Sequence, residues 1–435
     1  MEPVVLHALI LGGLFILLLA GGLWIGVTLI AVAAAGIHFF TPIPAGKVLA
    51  TIAWNTLDSW PLSCLPLFIF MGELLFRTRI SQQLFDGMAP WVQWLPGKLL
   101  HSNVLGCALF AAISGSSAAT CATMAKVTLP EFHRLNYDRR LAIGSLAGSG
   151  TLGFLIPPSI IMVIYGILAD VSIGKLFMAG IFPGVLAAGL YMGYIALRGT
   201  LNPAITPGGE KSYTWSERFG NLSKVLPVAG LILLVLGSIY TGWATPTEAS
   251  AIGVLGAFIL GVFSKSINLR TLGESLLGAT KTTVMMGLIV LGAAYFSSAM
   301  GYLGIPRYLT LVVAGWQLSP YQLIIALTAL YIFLGCFLDG GSIIVITLPI
   351  CLPLVTEAGF SPIWFGIYLV VMAELCQITP PVGFNLFVLQ QESGQEISFI
   401  VRAAAPFFVL LLLALAVITV FPQIALWLPS QMIGQ

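Results

Sequence analysis

The stretch Gly150-Thr151-Leu152-Gly153-Phe154-Leu155-Ile156-Pro157-Pro158-Ser159 sets two consecutive prolines inside an apolar run. The pair returns 223 residues later in Thr379-Pro380-Pro381-Val382-Gly383-Phe384-Asn385. A proline pair removes two backbone donors and fixes φ, so it interrupts a helix and can start a new half-helix while leaving upstream carbonyls unpaired. Flanking residues hold the same register. Pro130, Pro157, Pro158 and Pro183 are all the prolines from 130 to 183, and each recurs without a gap as Pro353, Pro380, Pro381 and Pro406, while Leu129 falls on Leu352. The chain therefore carries two copies of one unit.

Upstream of each proline pair lies a second interrupted apolar segment, about 102–130 and 319–353. The breaks fall at Ser114-Gly115-Ser116-Ser117 and Asp339-Gly340-Gly341-Ser342. Taken alone, each reads equally well as a kinked helix or as a helical hairpin that enters and leaves by one side. Their place in the repeat favours the hairpin.

The solvent around these elements is lipid. Of 435 residues 58% are hydrophobic and 8% charged, against about a quarter charged in an ordinary soluble domain. Apolar runs of spanning length recur from end to end, for example 4–22, 176–197 and 403–421. They are continuous rather than alternating, which excludes a β-barrel. The net charge of +2 points to no nucleic-acid or acidic partner. The six cysteines lie in or beside apolar segments without metal-ligand spacing. The first residues lack a basic leader and a cleavage site, so the leading apolar run is expected to be retained.

Crossings are expected at about 4–22, 23–40, 62–76, 141–169, 172–198, 225–242, 246–263, 281–300, 362–390 and 397–428. Surface helices are expected at 45–60, 81–96, 266–280 and 302–317. Thr245-Pro246-Thr247-Glu248 has the form of a capping box. If both ends of the first hairpin face the cytoplasm, five crossings separate it from the second, which then enters from outside. The copies are thus inverted. This assignment puts Arg77, Arg79, Lys98, Arg134, Arg139, Arg140, Arg198, Lys211, Arg218, Lys224, Lys265, Arg270, Lys281 and Arg402 inside, and only Lys47, Lys175 and Arg307 outside, as cytoplasmic enrichment in basic residues requires.

Broken helices at membrane depth are costly unless an ion, water or protein takes the freed groups. Free carbonyls with Ser, Thr or Asn oxygens suit a hard cation such as sodium, and half-helix N-termini offer N–H groups to an anion. Singly, such Gly- and Ser-rich spots most often permit close helix packing. As two inverted pairs they favour binding, with one cation site per repeat. The intramembrane charges are Glu73, Lys126, Asp339 and Glu374. Glu73 has Arg77 one turn on, and Lys126 can snorkel outward. Asp339 and Glu374 each stand at a break, as a cation ligand, a proton site or a cap. No nucleotide-binding or nucleophile motif occurs, so neither an ATP-driven pump nor an enzyme is expected.

Over essentially its whole length the chain resembles the large membrane subunit, the DctM-like permease, of tripartite ATP-independent periplasmic (TRAP) transporters. The stretches that carry the resemblance are Ala112–Ala118, Gly150–Ser159, Ser172–Phe177 with Pro183-Gly184, and Thr379–Phe387. The resemblance implies an all-α polytopic protein of the ion-transporter superfamily, an elevator built on inverted repeats. It implies sodium-coupled import of small organic acid anions such as C4-dicarboxylates and sialic acid, in the bacterial inner membrane. Sodium would be the coupling ion, with no other cofactor. The partners implied are a small membrane subunit and a periplasmic substrate-binding protein. The small subunit is not expected to be fused upstream, since no extra helices precede residue 4.

Carried onto this sequence, the first sodium site falls on Ser114, Gly115, Ser116, Gly150, Gly153 and Pro157. The second falls on Asp339, Gly340, Thr379, Pro380 and Gly383. Substrate contacts are expected from Ser117, Ser159, Ser342, Asn385 and Glu374. Many members carry an Asn and a Gly shortly before the Thr-Pro-Pro, where this chain has Ala373-Glu374-Leu375-Cys376-Gln377. No particular substrate is therefore carried over. A proton-coupled carboxylate carrier of the same fold, using Asp339 or Glu374, is the alternative. A channel using the re-entrant loops as a filter is disfavoured by the paired inverted repeats, and an intramembrane enzyme or assembly factor by the absence of a nucleophile or metal cluster. The expected organisation is N-terminal scaffold helices with a surface helix (1–60), the first repeat (61–186, hairpin 102–130, broken helix 141–169), scaffold helices with a cytoplasmic loop (187–280), and the second repeat (281–435, hairpin 319–353, broken helix 362–390, final helix).

Overall fold

The computed structural model describes residues 3–78, 80–207 and 213–432, all of them helix, turn or connection. Arg79 and Lys211, assigned above to the cytoplasmic side, lie outside the described residues. Six described helices are long and apolar enough to cross a membrane, or eight when two bent pairs are each taken as one span.

Both interrupted segments are hairpins. The first has arms Leu99–Ser114 and Ser117–Arg134. The arms fold back on one another: Ser114 Oγ lies 2.8 Å from Thr120 Oγ1, and a Cβ on Gly106 would stand 2.7 Å from Met124 Cε. The second has arms Pro320–Gly335 and Gly340–Glu357, joined across by Tyr331 Oη and Thr347 Oγ1 at 2.8 Å. The returning arms, Ser117–Arg134 and Gly340–Glu357, begin and end in the register set by the prolines.

The broken helices are Arg139–Thr151 with Ile160–Leu168, and Pro362–Gln377 with Phe384–Ser393. They run in opposite directions. Tyr165, at the end of the first, donates its hydroxyl to the carbonyl of Pro362 at the start of the second (2.6 Å). Arg139, at the start of the first, lines a cleft with Glu392 and Ser393 at the end of the second. The repeats are therefore inverted. Gly144 and Gly148 let the first broken helix lie directly on the final helix, Ile397–Val420, because a side chain there would meet the Ala403 carbonyl and the Phe407 ring.

A second body packs around Leu269–Tyr302, which lies along Ile25–Phe40, Ala45–Leu57 and Cys64–Phe76. Pro246–Phe263 covers the last of these and Leu226–Tyr240. Thr245 and Glu248 form the capping box read from the sequence. Glu73 pairs with Arg77 at 3.4 Å, as its spacing indicated, and Arg77 pairs also with Glu274 at 3.0 Å. Lys126 is exposed and additionally pairs with Glu392 at 3.6 Å.

Two expectations need correction. Residues 266–280 do not form a separate surface helix. They open the single helix Leu269–Tyr302, because Asn268 caps it and Arg77 and Arg270 neutralise Glu274, so its polar turns are satisfied in place. Nor does a helix end at residue 186, where the first repeat was expected to give way to scaffold helices. Ile173–Leu201 is one continuous helix, so a boundary at residue 186 would cut it, and it packs against both broken helices, the first hairpin and the final helix. The reason lies in Gly180 and Gly184, which bring its backbone onto Leu155 and Ile156 of the first break.

Two measurements check this arrangement. In a chain stripped of native cysteines, single cysteines at positions 98 and 402 are expected to label only from the cytoplasmic side, and at 47 and 307 only from outside; the reverse at either hairpin would undo the inversion. Gly144→Leu is expected to lower thermal stability in detergent by about 1–3 kcal/mol or more, the cost of forcing atoms into a packed contact.

Candidate functional site

Each hairpin tip closes on the broken helix of its own repeat. In the first repeat the chain must turn within two residues between arms, and Gly115 does so at φ 60°, donating its N–H to the Ala111 carbonyl. Ser116 then caps the returning arm, its Oγ accepting from Ala119 N at 3.4 Å. Gly153 allows the break to reach this tip: a Cβ there would stand 2.7 Å from the carbonyl carbon of Ser116 and 2.8 Å from Ser117 N. Gly150 is pressed against Cys121 in the same way. Ser114, Gly115, Ser116, Gly150, Gly153 and the first Pro-Pro pair thus come together. Gly115 lies beside the Pro158 carbonyl, at 3.2 Å from a Cβ on that glycine.

In the second repeat Asp339 caps the returning arm. One carboxylate oxygen accepts from Gly341 N at 3.0 Å and Ser342 N at 3.3 Å, and the other from the Ser342 hydroxyl. Of the readings open for Asp339, capping is thus realised. Gly340 meets Ala373, where a Cβ would be 2.6 Å away. Thr379 donates its hydroxyl to the Leu375 carbonyl at 2.6 Å, and Gly383 closes the break by donating to the Thr379 carbonyl at 2.8 Å. Both Pro-Pro bonds, 157–158 and 380–381, are cis. The two breaks differ in exposure: Pro157, Pro158 and Ser159 are buried, whereas Pro380, Pro381 and Val382 are exposed.

The two sites adjoin through residues that cross between repeats. Asn385, fully buried, donates Nδ2 to Ser117 Oγ at 2.9 Å, leaving its Oδ1 unpartnered. Glu374, 0% exposed, accepts the Leu155 N–H of the first break at 3.1 Å. Ser159 caps the second half-helix of the first repeat by accepting from Met162 N. Of the expected substrate contacts, Ser117 and Asn385 meet directly. Ser342 stays on the second tip with Asp339, and Glu374 turns into the interior against the first break.

Two participants escaped the sequence. Thr120 pairs with Ser114 and donates to the Ser116 carbonyl at 2.8 Å; its signal is its position one turn after the tip. Tyr191, buried in Ile173–Leu201, faces Glu374 and Thr151, and nothing in the sequence marks it among the chain's other tyrosines.

Comparison with known proteins places the chain in a family. Residues 12–424 match the family described as "Tripartite ATP-independent periplasmic transporter, DctM component". The chain is 34% identical over 400 residues to the C4-dicarboxylate TRAP transporter large permease protein DctM of Pseudomonas aeruginosa, covering 91% of this chain and 92% of that protein. It is 29% identical over 422 residues to the sialic acid TRAP transporter large permease protein SiaM of Vibrio cholerae, covering 96% and 97%. These relatives are transporter permease subunits, not enzymes. The solved structure of the YdaH transporter of Alcanivorax borkumensis shares the fold, with a TM-score of 0.64 at 15% identity over 90% of each chain.

The Asn385–Ser117 bond is expected to couple the repeats energetically. Ser117→Ala, Asn385→Ala and the double variant should yield an interaction energy of about 0.5–3 kcal/mol in thermal unfolding. Strict additivity would show that the bond contributes nothing to joining the halves.

Proposed function

Because this chain belongs to the DctM component family of tripartite ATP-independent periplasmic transporters, we propose that it couples the import of a small organic acid anion to the inward sodium gradient. It is a polytopic protein of the bacterial inner membrane and the large permease subunit of an organic-acid transporter. Its working partners are a small membrane subunit and a periplasmic protein that delivers the substrate. C4-dicarboxylates and sialic acid, which the names of its relatives record, are the first substrates to try.

The observation that carries this reading is the convergence of two hairpin tips on two broken helices in inverted copies, joined by Asn385 and Ser117. Such an arrangement gathers exposed backbone carbonyls, small hydroxyls and half-helix N-termini at membrane depth. Sodium is held in the first repeat by Ser114, Gly115, Ser116, Gly150, Gly153 and Pro157. In the second it is held by Asp339, Gly340, Thr379, Pro380 and Gly383. The anion sits between Ser117, Ser159, Ser342 and Asn385, at the capped ends of half-helices. Sodium that orders both tips also preorganises the anion site, and by reciprocal linkage substrate tightens sodium binding equally. Alternating access follows if the hairpins, broken helices, Ile173–Leu201 and the final helix move as one body against the helices packed on Leu269–Tyr302.

Liposomes containing this chain and its small subunit, supplied with the loaded binding protein, are expected to take up substrate only under an inward sodium gradient. Uptake indifferent to sodium would reject the coupling while leaving the fold. Thr379→Val, which keeps shape and removes the hydroxyl oxygen, is expected to raise the sodium concentration for half-maximal uptake by roughly tenfold, the effect of ~1.4 kcal/mol.

A further inference from the structure

One interior charge has no role in that scheme. Glu374 is 0% exposed; one carboxyl oxygen accepts the Leu155 N–H at 3.1 Å and the other has no partner. Among the described residues no lysine, arginine or histidine forms an ion pair with it. The titratable group that faces it is Tyr191, from Ile173–Leu201. Cys376 lies two residues on, toward the far side of the same helix, where it faces Asp339 and Cys336 of the second hairpin. Arg139 and Arg140 of the first broken helix and Arg402 of the final helix sit at helix starts on the cytoplasmic side. An ionised carboxylate in this place would be a desolvated charge with a single hydrogen bond, an arrangement that interiors avoid by pairing or neutralising the group.

A proton resolves this charge. It removes the desolvated negative charge and turns the free Glu374 oxygen, an acceptor without a donor, into a neutral hydroxyl. The buried Tyr191 of Ile173–Leu201, which also interacts with Thr151, is the neighbouring titratable group. Sodium suits the place less well, because the carboxyl already takes an N–H donor on one side and the nearby Tyr191 and Thr151 hydroxyls fall short of the roughly six oxygens a hard cation needs.

We propose that Glu374 is a proton-binding site at the junction of the two breaks, a second coupling site beside the sodium sites. The proton comes from water and returns to it; only the O–H bond forms and breaks. The neutral carboxyl bridges Leu155 of one repeat and the second broken helix of the other, so protonation favours the arrangement in which the breaks adjoin. Any step of the cycle that parts them or admits water releases the proton, by linkage.

The test uses the whole chain in liposomes. Infrared difference spectra titrated from acid to alkaline pH are expected to show the C=O stretch of a protonated buried carboxyl. The band should be lost in Glu374→Gln and shifted in frequency in Tyr191→Phe, which keeps the carboxyl and removes the hydroxyl facing it. With the small subunit and binding protein added, substrate uptake at a fixed sodium gradient is expected to fall as pH rises, and this dependence should be lost in Glu374→Gln. Absence of a band assignable to position 374, or a carboxylate band there that moves with sodium rather than pH, would overturn the proposal, as would unchanged pH dependence of uptake in the variant. The inference rests on the transport reading only for its uptake arm. Sodium-independent uptake with the carboxyl band intact would reject sodium coupling and leave the proton site standing.

Discussion

A helix broken inside a membrane leaves backbone groups that lipid cannot satisfy, and the described residues of this membrane protein hold two hairpin tips and two helix breaks. The structure answers the demand with protein. Each hairpin tip is pressed onto a break at a position where only hydrogen fits: Gly153 against Ser116 and Ser117, Gly340 against Ala373. The tip of one element is thus packed directly on the broken helix of another. Everything else in the fold serves to hold these surfaces together, from the glycines that seat the final helix on the first break to the carboxyl of Asp339 that caps the second tip.

Inversion gives this contact a second use. Two copies related by inversion place their breaks back to back, so a residue just before or after one break can reach the other. Glu374 and Asn385 do so from either side of the second proline pair, to Leu155 and Ser117. Neither has a counterpart at the matching place in the first repeat, where Thr151 and Met162 stand. The symmetry of the backbone is therefore not kept by the side chains. At the breaks the second repeat supplies the polar side chains that reach across, and the first supplies the backbone and hydroxyl that receive them. The same asymmetry appears in exposure, with the first proline pair buried and the second open.

The fold was largely legible because its decisive marks are covalent. Prolines cannot be disguised by context, and a constant register of four of them disclosed the repeat, the breaks and the frame of both hairpins. Orientation was read on separate grounds, from the enrichment of cytoplasmic loops in Lys and Arg. Packing partners were not legible. Ile173–Leu201 and its neighbours toward residue 263 have the same apolar composition, and only the close approach of Gly180 and Gly184 to the first break assigns the former to the hairpin body. Residues 266–280 misled for the opposite reason. Their charges resemble those of a surface helix, but Glu274 finds Arg77 on a distant helix, a pairing that no local pattern reveals.

The boundary between the two bodies carries a physical consequence. On the side opposite the first hairpin's ends lies a cavity of about 480 Å³, bounded by Asn55, Thr56 and Ser298 of the outer body and by Val345, Pro349 and Pro353 of the second hairpin. Close-packed interfaces resist sliding because every contact must be remade at once. Here the two bodies instead meet over small residues, Ala293, Ala294 and Ser297, and leave space beside them. Glycine contacts without room for a Cβ lie inside each body, Gly26 and Gly292 within one and Gly144, Gly153 and Gly340 within the other, and a further one at Gly72 crosses the boundary to the Ser114 carbonyl. The boundary is therefore uneven: close at the first tip, where Gly72 meets Ser114, and open beside the second hairpin, where space lies next to Ala293 and Ser297.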